Sequence, residues 1–220
     1  MSAAEDGAAK RKRAAAPRDA NDAARPRARS PLREAQKEVA RQRLVESARA
    51  AFAAKGYVDV TVDDIVQGAG ASRGTFYLYF QSKREILLAL IDQLRGEVVA
   101  AGDDFRAMGE PTVDALQAWF ERYVDFYLDH RDLWRAMHQA QVVEPEFMAM
   151  VVAAIDRYVE LWRSVRVAKA HRDVDLRLPA TMMYTFVDQF MYLWLSQGQQ
   201  VDREKTTRVL AEAVYAALMG

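Results

Sequence analysis

Residues 61–87, TVDDIVQGAGASRGTFYLYFQSKREIL, hold three helix starts and one glycine stop. Punctuation that dense leaves room only for short helices joined by a tight turn. Thr61 and Asp64 have the spacing of a capping box, in which each side chain caps the other residue's backbone N–H. Ile65, Val66 and Ala69 then give the first helix an apolar face. Gly70 ends it, because glycine takes a left-handed backbone without steric cost. Ser72 restarts the chain as an N-cap. Phe76 and Phe80, four residues apart, share one face of a second short helix. Ser82 and Glu85 repeat the box and open a third helix at Lys83.

Two helices crossed through a glycine-containing turn form a helix-turn-helix unit. Its second helix is narrow enough for a major groove about 12 Å wide. With Phe76 and Phe80 turned inward, 100° per residue sends Gly74, Thr75 and Leu78 outward. Gly74 allows close backbone approach, and Thr75 offers a hydroxyl or a methyl to a base edge. Tyr77 and Tyr79 flank this face with phenols suited to phosphates. Arg73 lies within reach of a guanine or a phosphate. Lys83 stands at a helix start, where amides and an ammonium can share one phosphate. Thr61, leading the first helix, completes the set. The same pattern also serves as a purely structural helix pair, and a cluster such as FYLYF also serves as core.

The string SRGTFYLYFQSKREIL closely resembles the DNA-binding signature of the TetR (tetracycline-repressor) family of bacterial transcription regulators. Gly70, Ser72, Gly74, Thr75, Phe76, Tyr77, Tyr79, Phe80, Ser82, Lys83, Ile86 and Leu87 match without a gap. The resemblance covers roughly residues 34–90. It implies an all-α protein with an N-terminal helix-turn-helix domain and a C-terminal helical domain for ligand binding and dimerisation. It also implies pairing through the last two long helices, a palindromic double-stranded operator and release by a hydrophobic small molecule.

Charge divides the chain. Residues 1–33 carry a net +5, residues 34–90 a net +1 and residues 91–220 a net −6. The first segment, rich in Ala, Arg and Pro, cannot bury enough apolar surface to fold and is expected to be a disordered basic arm. Such an arm suits phosphates or a minor groove, or remains a solvated leader. The expected plan is therefore 1–33 arm, 34–90 DNA-binding domain and 91–220 ligand-binding and dimerisation domain. With no cysteine, disulfides, cysteine-held zinc and a cysteine nucleophile are excluded, which fits the cytoplasm. No apolar run reaches membrane length, and no apolar segment follows the first basic cluster as a signal peptide requires.

Apolar spacing predicts a helix over 34–55 with Leu44, Ala48, Ala51 and Phe52 inward, stopped by Gly56. Arg41 and Arg43 are candidates for phosphates or for solvated charge. An extended link over 57–60 follows. A long helix over 83–101 joins the two halves, then a polar break spans 102–111. Further helices are expected over 112–129, 132–141, 145–170 and 178–197, the last stopped by Gly198, and from 202 onward. The run MMYTFVDQFMYLWL is apolar on nearly every side. It needs two partners, its own core and, most simply, a second copy.

All four tryptophans lie beyond residue 118. An internal cavity for a bulky hydrophobic ligand would draw on Trp119, Tyr123, Phe126, Trp134, Met137, His138, Met148, Tyr158, Trp162, Met183, Phe186, Gln189 and Phe190. The same residues also suit a filled core. His130, His138 and His171 show no metal spacing, and no catalytic constellation or cofactor motif stands out. The reading is a ligand-responsive repressor rather than an enzyme. A ligand-binding helical protein with a structural helix-turn-helix, and a sequence-blind DNA-coating protein, are the alternatives.

Overall fold

The computed structural model of the chain describes residues 31–165 and 175–219. Most of the basic arm (1–30), His171 and the end of the helix expected to reach residue 170 lie outside them. Among the described residues there are ten α-helices and no strand. They are α1 Pro31–Asp59, α2 Val62–Ala69, α3 Arg73–Tyr77, α4 Lys83–Gln93 and α5 Arg95–Ala107, then α6 Val113–Asp129, α7 Arg131–Val143, α8 Pro145–Ser164, α9 Arg177–Met191 and α10 Arg203–Met219. A π-helical turn, Tyr192–Ser196, extends α9. The fold is all-α, as expected.

Contacts group the chain into two units, Met1–Lys37 and Glu38–Gly220. In the first, the described residues are opening turns of α1, where Glu34 and Lys37 pair at 3.6 Å. Every site below lies in the second.

That second unit holds two apolar cores. Leu44, Val45, Ala48 and Phe52 of α1, Ile65 and Val66 of α2, Phe76, Phe80, and Ile86, Leu87 and Leu90 of α4 build one. Leu133, Ala136 and Ala140 of α7 and Phe147 of α8 complete it. The apolar surface of 34–90 is therefore closed by residues far beyond 90. The other core joins Leu116, Phe120, Val124 and Tyr127 of α6 to Trp162, Met191, Leu210 and Val214. The α6 residues follow the i, i+4, i+8, i+11 spacing of one helical face.

Three boundaries differ from expectation. Gly56 breaks α1 at φ 78°, ψ 170°, a backbone only glycine adopts cheaply, but 57–59 then forms a helical turn instead of an extended link. The burial of Tyr57 holds that turn in place. The helix expected over 83–101 divides at Leu94, whose N–H bonds Ile91 O at 3.0 Å in a tightened turn. It resumes as α5 and reaches Ala107, because buried Phe105 pins its last turns. The break expected from 102 thus begins only after Ala107.

Candidate functional site

The helix-turn-helix is closed by local caps that the sequence spells out. Thr61 Oγ1 accepts from Asp64 N at 3.2 Å, and Asp64 Oδ2 accepts from Thr61 N at 2.9 Å. Lys55 adds its ammonium to Asp64 at 2.5 Å. This and the Thr61 bonds hold the Asp64 carboxyl at a pKa of about 2. Gly70 takes φ 61° and donates to Gln67 O and Val66 O, ending α2. Ser72 Oγ accepts from Thr75 N at 3.0 Å and starts α3. Phe76 is wholly buried and lies 5.9 Å from Phe80, centroid to centroid.

What remains outward is the candidate contact face. Ser72, Arg73, Gly74, Tyr77 and Leu78 are exposed, Tyr77 at 56% and Leu78 at 79%. Thr75 is half-buried and shares a hydroxyl–hydroxyl hydrogen bond with Ser72 at 3.0 Å. A Cβ on Gly74 would meet only Ser72 Oγ, at an ordinary 3.6 Å, so nothing inside the molecule requires glycine there. Tyr79 is half-buried against the first core. Arg41 stands 5.4 Å over the Phe80 ring, covering the core edge.

Two basic residues have structural duties that the sequence did not reveal. Arg73 is gripped by Asp63 through both oxygens, tying α3 to α2. Lys83 turns away from the contact face. Its ammonium donates to Tyr57 O, Val58 O and Val60 O at 2.8, 2.9 and 3.0 Å, and lies 4.7 Å from the Tyr57 ring centroid. All three of its donors are thereby used. The ammonium expected to meet a phosphate is thus directed to backbone carbonyls in this structure. The orphan carbonyls where α1 ends had the prior demand for it.

The end of α1 is also held by α7. Gln139 Oε1 accepts from Tyr57 N at 2.6 Å, Arg135 donates to Ala53 O, and Glu144 accepts from Tyr57 Oη at 2.8 Å. Burial and that carboxylate push the Tyr57 phenol pKa up. Arg84 of α4 pairs with Glu146 of α8. The adjacent face of α7 carries Trp134 and His138, with Trp134 packed on the second core and His138 on Tyr192. One helix thus touches the helix-turn-helix platform and the far interior together.

A cleft of about 210 Å³ opens between α5 and α6, lined by Trp119, Tyr123 and Phe126 with Glu97, Ala100, Ala101, Asp104 and Arg122. Trp119 stacks on Tyr123 at 5.1 Å and donates its indole N–H to Ala101 O at 2.9 Å. Three of the expected pocket residues meet here. Trp134, Tyr158, Met183 and Phe190 pack on the second core, Met137 packs on the first, and Trp162 is fully buried. Met148, Phe186 and Gln189 face outward instead of into a cavity. They sit on the solvent side of α8 and α9, opposite the residues that fill the core.

His138 belongs to an interior polar group that sequence reasoning only half saw. It stacks on Tyr192 at 4.2 Å, and its Nε2 lies 3.5 Å from Asp188 Oδ2. Burial draws the His138 pKa down to about 4 and pushes Asp188 up to about 6. Asp188 was legible in one respect: it is the only charged residue in MMYTFVDQFMYLWL. Among the described residues no cluster is suited to a metal ion, and no helix is long and apolar enough to cross a membrane.

The sequence model for "Bacterial regulatory proteins, tetR family" matches residues 44–90, the platform just described. The chain is 30% identical over 132 residues to the HTH-type transcriptional regulator EthR of Mycolicibacterium smegmatis, a match to 60% of this chain. It spans 58% of that regulator's length. It is 26% identical over 180 residues to the HTH-type transcriptional regulator TtgR of Pseudomonas putida, covering 74% of this chain and 83% of that one. The crystal structure of the TetR family transcriptional regulator PfmR from Thermus thermophilus superimposes with a TM-score of 0.60 at 25% identity, over 79% of this chain and 97% of that one. What the chain shares with the tetR family of bacterial regulatory proteins is this set of capped helices, residues 44–90, and it is similar to regulators of that family over a longer span.

Proposed function

We propose that the protein is a ligand-responsive transcription regulator, a repressor, that binds a palindromic operator as a homodimer and is released by a hydrophobic small molecule. The carrying observation is α3: buried Phe76 fixes it from behind, while Gly74 and Tyr77 stand free on its outer side. In this reading Gly74 lets the backbone approach a base edge. The Thr75 methyl reads a thymine, and the Tyr77 phenol meets a phosphate. Tyr79, Arg73, Ser72 and Thr61 border the contact. With the Lys83 ammonium committed inside, the amides at the start of α4 take the phosphate that the side chain was expected to hold.

The dimer rests on α9 and α10. Leu178, Met182, Phe186 and Leu193 form an exposed apolar stripe along α9, and Val209 and Met219 are exposed on α10. Pairing these faces places two α3 helices on successive major grooves, about 34 Å apart. The division into a DNA-binding domain over 34–90 and an effector domain over 91–220 belongs to this proposal, as do action in the cytoplasm and the lack of enzymatic activity. The similarity to EthR and TtgR, both described as transcriptional regulators, supports it. Selection from a random duplex library tests it. Enrichment of a palindrome with half-sites one helical turn apart is expected, and recovery of unenriched sequence overturns it.

A further inference from the structure

The two faces of α9 differ in kind. Its outer side carries the apolar stripe of Leu178, Met182 and Phe186 beside exposed Thr185 and Gln189, whereas Tyr184, Asp188 and Tyr192, spaced four residues apart, are half-buried. Asp188 is largely withdrawn from solvent, with 24% of its side chain exposed, and it makes no hydrogen bond among the described residues. Among the described residues no Lys or Arg pairs with it. Its one close titratable neighbour is His138, whose Nε2 lies 3.5 Å away without a hydrogen bond and whose pKa burial lowers. The phenols of Tyr123, Tyr127 and Tyr184 lie within the field of the carboxylate, which raises their pKa values further. Arg157 acts on Tyr184 but forms no ion pair with Asp188 among the described residues.

The group also has unused bonding capacity. Nε2 of His138, a residue only 9% exposed, has no hydrogen-bond partner. The Tyr127 and Ser196 hydroxyls lie near each other without completing a sound hydrogen bond. Buried polar atoms left in this state are unusual and call for an explanation. Tyr123 links the group to the outside, since it both senses Asp188 and lines the cleft between α5 and α6. The carboxylates at the mouth of that cleft already have partners: Glu97 meets His130 at 3.1 Å and Asp104 meets Arg122 at 3.6 Å. The unbalanced charge is therefore the inner one.

We propose that Asp188, within the ring of Tyr123, Tyr127, Tyr184, Tyr192 and His138, is the anchor of the effector, and that the effector is a hydrophobic organic cation. This rests on the effector-release reading above. An ammonium group supplies the charge that the carboxylate lacks, and aromatic faces add cation–π attraction in a desolvated site. An anionic ligand meets the carboxylate with the same sign. A neutral ligand leaves the buried charge uncompensated.

The test is a tryptophan-fluorescence titration of the full chain with three probes of one shape: benzyltrimethylammonium, its neutral carbon analogue neopentylbenzene, and the anion phenylmethanesulfonate. The cation should bind about tenfold more tightly than the neutral probe, and the anion not at all. Asp188→Asn should remove that advantage while leaving the neutral probe unchanged. Equal binding of cation and neutral probe, a preference for the anion, or an unaltered preference in Asp188→Asn overturns the proposal. If the variant does not fold, the ranking of the probes on the native chain decides alone. Repeating the titration with a selected duplex bound separates the two readings. Release of DNA by the neutral probe alone defeats the cation assignment and leaves the regulator intact. Failure to bind any duplex defeats the regulator, and with it the effector role of this site.

Discussion

Glycine at position 74 has no internal justification. Its backbone is helical, and a Cβ there meets nothing closer than 3.6 Å. Gly74→Ala should therefore raise stability by about 1 kcal/mol through helix propensity, while weakening operator binding. Urea denaturation and fluorescence anisotropy on the same sample check both halves, and unchanged DNA affinity would refute the role given to Gly74. Lys83 behaves in the opposite way. Lys83→Met leaves three carbonyls without their donor and should cost about 1–3 kcal/mol. The slope of log K against log salt should not change, because no phosphate contact is lost with it. A slope reduced by about one unit would restore the phosphate role.

Titration at the residue scale has a definite sign. His138 falls from its ordinary 6.5 to about 4, so the stability it contributes is complete above 6.5 and drains as pH drops toward 4. Asp188 rises from 3.8 to about 6, so its contribution is complete below 3.8 and is lost as pH rises through 6. Between pH 4 and 6 the two oppose one another. Asp188→Asn should raise the melting temperature at pH 8 and give no gain at pH 4. His138→Gln should flatten the acid limb between 6.5 and 4. Calorimetry across that range checks both.

At the scale of elements, α1 and α9 show how single positions govern whole helices. Gly56 turns the chain with a backbone that other residues adopt at a cost of about 1–3 kcal/mol. A Cβ there would also stand 2.6 Å from Gln139 Oε1, the atom that accepts from Tyr57 N. Gly56→Ala should thus destabilise by more than the backbone cost alone and loosen α7 from α1. Amide exchange at Tyr57 reports that loosening. On α9, Phe186 is stacked on Phe190 at 6.2 Å and remains 47% exposed. Phe186→Asp should yield a monomer by sedimentation with its helix content intact. A dimer that survives would move the interface elsewhere.

Across the whole molecule, the element expected to join the two halves was the long helix after the helix-turn-helix. Its division at Leu94 shifts attention to α7, which grips the end of α1 with Arg135 and Gln139 and meets the interior with Trp134 and His138. An effector that moves α7 acts on the platform directly. Linkage is reciprocal, so if the proposed effector weakens DNA binding, DNA must weaken effector binding by the same factor. Gln139→Leu should reduce that factor while leaving each separate affinity close to native. Titrating each ligand in the presence and absence of the other measures it.

The sequence alone determined whatever depends on neighbours along the chain. Caps at Thr61, Ser72 and Ser82, stops at Gly56 and Gly70, and the inward pair Phe76 and Phe80 were all legible, because capping and helical periodicity act over four residues or fewer. Tertiary structure decided whatever depends on partners distant in sequence. The three carbonyls that claim Lys83 lie 23 to 26 residues away from it, and Gln139 lies 82 residues from Tyr57. Which aromatic side chains line a cleft and which fill the core was settled by the same packing. No local pattern encodes such contacts, since an amphipathic helix states which face it must bury and not what will cover it.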